Sequence, residues 1–179
     1  MRSAPKRQLS APRTSSRNSN VPSAPRTGEW TLWLIVAVVG VHIIEEHALN
    51  FNGWAAQALH APVTAQDFHL TNAGVILYCI ACAAIGWRLP AIALSSAALV
   101  LMNAVGFHLA ASILAGVYSP GTATGLLLFV PTSITAYRAA ARDGVLDRRV
   151  LALSFTIALL WHAFLGAVFA VKYFWPLYP

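Results

Sequence analysis

Five stretches of the chain are apolar and long enough to cross a bilayer, at residues 30–49, 68–88, 91–117, 122–138 and 150–171. A hydrocarbon core of about 30 Å asks for roughly 20 apolar residues per helix. Only structures that satisfy their own backbone hydrogen bonds persist there. The pattern therefore predicts an all-α fold, a polytopic membrane helical bundle of about five transmembrane helices. Breakers separate the stretches. Asn50 to Asp67 holds Gly53, His60 and Pro62 and reads as a short amphipathic surface turn around Trp54 and Leu59. Arg88-Leu89-Pro90 makes a tight reversal, and Arg138 to Arg149 is a charged loop. Tyr118-Ser119-Pro120-Gly121 stops a helix, because proline lacks an N–H and glycine permits a turn.

The first stretch interrupts its own pattern. Trp30 to Val41 is apolar apart from Thr31, and then His42, Glu45, Glu46 and His47 follow within one run. An ionisable side chain in hydrocarbon costs a few kcal/mol on insertion scales (~2.5–3.5), so such residues usually face a partner or a cavity. Composition agrees with a membrane reading: 58% of residues are apolar and only 10% are charged.

The net charge of +6 changes the picture once it is placed along the chain. Residues 1–28 carry six bases and no acid, and the remainder carries six of each. Rich in Ser, Pro, Arg and Asn, that tail cannot bury enough surface to fold and is expected to be disordered, with 29–179 forming the transmembrane domain. Its expected partners are anionic lipid head groups rather than nucleic acid. The long polar lead and the glutamates after the apolar run argue for a retained first span over a cleaved signal peptide. With the N-terminus inside, the tail, Arg88, Arg138, Arg142, Arg148 and Arg149 give eleven bases inside against Lys172 outside. That bias predicts a multi-pass cell-membrane protein with a cytoplasmic tail, N-terminus in and C-terminus out. Trp30, Trp87, Tyr137, Tyr173 and Trp175 fall near span ends, where aromatic belts sit.

Depth and face follow from helix geometry. At about 1.5 Å per residue, His42 and His162 lie roughly 18 Å above the inner surface, Glu45 and Glu46 roughly 23 Å, and His108 roughly 26 Å. Asn72 lies roughly 6 Å below the outer surface. Several helices thus place polar groups in the outer half of the membrane. His42, Glu45 and Glu46 are three and four residues apart and share a helical face, whereas His47 points away. Asn103 and His108, five apart, belong to different faces unless the helix unwinds near Gly106; His108 and Ser112 share one. Cys79 and Cys82, set among alanines, read as small packing residues.

His42-Ile43-Ile44-Glu45-Glu46, then His108 and Tyr118-Ser119-Pro120-Gly121, appear in the order of the HXXEE family of small, mostly bacterial membrane proteins. The chain resembles that family over roughly residues 33–125. The resemblance implies a membrane domain of unassigned activity.

Four kinds of chemistry fit these residues. In the first, His42 and Glu46 at i, i+4 are metal ligands with His108 as the third, and Glu45 is the base for metal-bound water. Zinc or iron suits two imidazoles and a carboxylate. The spacing is similar to the His-x-x-Glu-His pattern of inverted zinc hydrolases, with Glu46 in place of the second histidine. In the second, Glu45, Glu46, His42 and His108 transfer protons to a lipophilic substrate without a metal. In the third they form a proton or ion path. In the fourth they are a buried polar clasp between helices. Asn72, Tyr118 and His162 are secondary candidates. A reporter fused after Pro179 is expected to be active on the outer side alone; activity on the cytoplasmic side would invert the topology.

Overall fold

The computed structural model describes residues 27–61 and 63–174, without the side chains of 173 and 174, and no strand occurs among them. The expected disordered tail up to residue 26 and the belt residue Trp175 lie outside the described residues. Six helices follow one another: α1 (Trp30–Ala48), α2 (Phe51–Ala58), α3 (Ala65–Ile85), α4 (Pro90–Ala115), α5 (122–142) and α6 (Arg148–Phe174).

Local sequence sets their ends. The Asn50 side chain accepts from Gly53 N–H at 3.2 Å to start α2, so the linker expected to be a surface turn is a two-turn helix. Thr64 and Asp67 form a reciprocal capping box at the start of α3. Pro90 occupies the first turn of α4, where its missing N–H costs nothing.

Four helices, Trp30–Ala48, Ala65–Arg88, Pro90–Ala115 and Arg148–Lys172, are long and apolar enough to cross a membrane. Their outward faces carry large apolar side chains, with Leu114 87% and Ile113 70% exposed. A soluble surface does not gather such residues over every helix; a lipid-facing one does. α5, the fifth expected span, is not among these four. Its Val130–Arg142 part carries Thr132, Ser133, Thr135, Arg138 and Arg142.

α4 is the axis of the bundle. Every residue from Ala93 to Val100 is buried, and small side chains at Ala93, Ser95, Ser96, Ala97 and Ala98 let its neighbours approach closely. α1, α3, α5 and α6 all pack on it. Hydroxyls then join the helices: Ser133 donates to the Ala97 carbonyl at 2.9 Å, Tyr137 pairs with Ser154 at 2.7 Å, and Tyr78 pairs with Ser95.

Three connections meet at the end of the bundle where α1 begins. The Asp143 carboxylate accepts from Gly28 N–H and from the Trp87 indole, both at 2.8 Å. Glu29 accepts from the Trp87 backbone N–H at 2.7 Å. The α1 start, the α3–α4 turn and the α5–α6 loop thus share one side, and Arg88, Arg142, Arg148 and Arg149 lie on or beside them. α5 is tied to both ends of α1, through Asp143 to Gly28 here and through Thr124 to Glu45 at the far end. Asp143→Ala leaves two part-buried donors without their acceptor, so a stability loss of about 1–3 kcal/mol is expected, read as a lowered melting temperature in detergent.

Candidate metal centre

The buried stripe of α1 runs Thr31, Leu32, Ile35, Val38, Val39, His42, Glu46. This is ordinary helical periodicity whose last two members are polar. His42 and Glu46 therefore enter the bundle on the same face as the core residues. Ile44 and His47 are exposed, and Glu45 lies on the flank, half-buried.

His108 arrives from α4. Asn103–Leu109 is π-helical, so hydrogen bonds there run from i to i+5 and residues five apart come onto neighbouring faces. The helix does depart from α geometry around Gly106. His108 is fully buried beside α1, and Asn103 lines the adjoining cavity.

Three ligand-type atoms converge. Glu46 Oε1 lies 3.6 Å from His42 Nε2 and 3.4 Å from His108 Nε2, beyond the normal hydrogen-bond range. The two rings meet edge to face, 4.8 Å between centroids. Each Nδ1 is engaged elsewhere: His42 with Thr124 Oγ1 at 2.7 Å, His108 with Ser119 Oγ at 3.2 Å. Which partner donates in these two contacts depends on the tautomer of each ring. Both Nε2 atoms face the same carboxylate oxygen, so each can serve as a ligand atom. His108 Nε2 is buried with no hydrogen-bond partner. Two donor atoms bound to one tetrahedral ion at about 2.0–2.1 Å lie roughly 3.3–3.4 Å apart, close to both distances.

The segment from Gly116 to Thr124 closes the site. Gly116 ends α4 in the left-handed region, with φ +67°, and the Tyr118-Ser119-Pro120-Gly121 turn leads into α5. Gly121 is wedged against both imidazoles. A Cβ there would lie 2.7 Å from His42 Cε1 and 2.6 Å from His108 Cε1, and its φ of +97° already disfavours any other residue.

Glu45 serves this segment rather than the cluster. Its Oε1 accepts from Tyr118 Oη at 2.5 Å and Gly121 N–H at 3.2 Å, and its Oε2 accepts from Thr124 N–H at 2.8 Å. It thereby satisfies N–H groups that the start of α5 leaves without helical partners. Burial and the hydrogen bond to Glu45 push the Tyr118 phenol up from its ordinary value, so it remains a donor at neutral pH. Sequence spacing placed His42, Glu45 and Glu46 on one working face; the structure separates Glu45 from the other two. Thr124 and Ser119 were not singled out, because nothing in the sequence marks a hydroxyl as the partner of a ring eleven or 82 residues away.

The cluster opens on a cavity of about 660 Å³ lined by α1, α2, α3, α4 and α6, with Phe129 from α5. Its walls are mainly apolar. His42 and Glu46 contribute to the lining, with Asn72, Thr71, Asn103 and His162. Asn72 faces the Glu46 carboxylate. His162 donates from Nδ1 to the Ala158 carbonyl at 2.9 Å. Tyr118 belongs to the brace with Glu45, and His47 and His69 lie outside the cavity with their rings 6.2 Å apart. Cys79 and Cys82 are buried free thiols near Ser95, away from the site.

Gly121→Ala is expected to lower stability by about 1–3 kcal/mol through overpacking against the two rings. Gly144→Ala, with a similar φ of +69° but open space around it, isolates the backbone contribution. Equal melting-temperature losses in the two variants would remove the wedge. No curated protein and no solved structure matches the chain. The family described as "Protein of unknown function with HXXEE motif" matches residues 33–136, more than half of the sequence and all of the cluster, and the chain belongs to that family.

Proposed function

We propose that this chain is a membrane enzyme with a transition-metal centre, zinc or iron, held by His42, Glu46 and His108. Its substrate is a lipophilic molecule bound in the adjoining cavity. One observation carries the reading: three ligand-type atoms converge inside an apolar bundle, each ring in contact with a hydroxyl on its other nitrogen. Three such atoms facing one another suit one cation, and metal-bound imidazoles are oriented by such second partners. Three protein ligands with the remaining position toward a cavity is the arrangement of catalytic rather than structural sites.

A metal there supplies Lewis acidity and lowers the pKa of a bound water. The chain's own residues do the rest. Glu46 and the two Nε2 atoms hold the ion. Asn72 orients Glu46, and apolar walls exclude bulk water. Glu45, the base in the sequence reading, takes the part of a positioning residue. It pins Gly121 and Thr124, and through them both rings.

The same reading includes five crossings, a cytoplasmic N-terminal tail and a site in the outer half of the cell membrane. α5 running the length of α1, tied at both ends, supports a fifth crossing, and the shared side of Gly28, Trp87 and Asp143 supports the parity of the turns. A second reading rests on the same convergence: a proton replaces the metal, and the site relays protons or clasps helices.

Metal analysis of the purified protein separates these. About one equivalent of zinc or iron is expected in the wild type, with loss in His42→Ala, Glu46→Gln and His108→Ala. Thr124→Ala, which removes the partner of the His42 ring, is expected to weaken metal binding by about 10–100-fold while leaving the fold intact. A wild type without metal, or His42→Ala with undiminished metal, sinks the proposal. Proton flux in liposomes that Glu46→Gln abolishes would move the site to the transport class.

A further inference from the structure

The cavity is bounded on one side by α3 and α6, and these two helices do not pack along each other. Each packs on α4, but their backbones do not run in contact. Among the described residues, side chains join them at Tyr78 and at Asp67. Tyr78 of α3 stacks on Trp161 of α6, centroids 4.8 Å apart and planes within 17°. Lys172 of α6 pairs with Asp67 of α3 at 2.5 Å. From Asp67 to Tyr78 is roughly 16 Å of helix at about 1.5 Å per residue. Over that length, Thr71, Asn72 and Val75 of α3 and Leu165, Gly166 and Phe169 of α6 line the cavity. A Cβ added at Gly166 would meet nothing within 4 Å, so the space beside it is open. The aqueous side is different, because Phe51, Ala55 and Leu59 of α2 roof the cavity there. Outside, the flanking residues Leu77, Leu160 and Phe164 are apolar and exposed, as a lipid-facing wall requires.

We propose that the gap between α3 and α6 is a lateral portal to the lipid, and that the occupant of the cavity is a bilayer amphiphile carrying one long apolar chain. Its polar end reaches Glu46, His42 and Asn72, where the polar groups of the wall gather. Its chain lies along Leu165 and Phe169 and leaves through the portal. A water-soluble polar substrate gains nothing from such walls and would have to displace the α2 roof. A chain arriving from the bilayer crosses no aqueous phase and exchanges one apolar setting for another. The identity of the polar end as the reacting end rests on the metal-centre proposal; the portal does not.

The test uses the full chain in lipid nanodiscs with a monoacylglycerol bearing a diazirine near the end of its chain. After illumination, adducts are expected on Val75, Leu165 or Phe169, above the background at outward-facing Leu127. Gly166→Trp, filling the open space and so excluding the chain, is expected to reduce the cavity adducts roughly tenfold, about 1.4 kcal/mol of lost binding. Its metal content should stay at the wild-type level. Gly166→Leu serves if the tryptophan variant does not fold. Adducts confined to outward residues, or cavity adducts undiminished in both variants, overturn the portal. Cavity labelling in a wild type that binds no metal would refute the metal centre and keep the portal; bound metal without cavity labelling would do the reverse.

Discussion

Two imidazole nitrogens and a carboxylate oxygen meet inside an apolar bundle, and bringing these polar groups together there is the constraint that much of the chain answers to. Leaving a buried charge uncompensated costs several kcal/mol, a large fraction of the stability of a small domain. The fold spends several irregular features on bringing the three groups together all the same. α4 adopts π geometry over Asn103–Leu109, α1 ends its apolar stripe on a histidine and a glutamate, and a glycine replaces any side chain where the rings approach the turn. π segments cluster at functional sites, and here the segment carries His108. A clasp made only to join helices would be served by one hydrogen-bonded pair.

The two adjacent glutamates divide the work. Glu46 points into the bundle with the core stripe, and Glu45, one position on, turns about 100° around the helix to meet the next segment. Neither replaces the other. Glu45 reaches backbone N–H groups of Gly121 and Thr124, and Thr124 in turn holds the His42 ring. A change at Glu45 is therefore transmitted to the imidazole through two hydrogen bonds and one glycine. The HXXEE spacing thus places a buried histidine, a buried glutamate one turn later, and a brace between α1 and the turn before α5.

Much of this was legible in the sequence, and the part that was not has a physical reason. Apolar runs located the helices, and the cost of charge in hydrocarbon singled out His42, Glu46 and His108, which the structure places together. Helical periodicity assigned His47 to the outside. The roles of Ser119 and Thr124 were not legible, because they depend on how a turn folds back across the bundle. Asn103 depended on a π segment that α-helical spacing cannot anticipate; its condition, unwinding near Gly106, was stated by the wheel and met by the structure. α5 shows the limit of hydropathy itself. Its Thr, Ser and Arg residues depress the apolar signal, yet Ser133 and Tyr137 point at α4 and α6 and spend their polarity on other helices.

The distance along the chain between partners has a consequence for biosynthesis. His42 and its partner Thr124 are 82 residues apart. Synthesis at about 5–20 residues per second separates their emergence by roughly 4–16 s. For most of that interval α1 carries its histidine and glutamate without His108, and for all of it without Thr124. An isolated helix with this pair is a poor resident of hydrocarbon. The histidine and glutamate of the first helix thus stay without their buried partners until a much later part of the chain has been made.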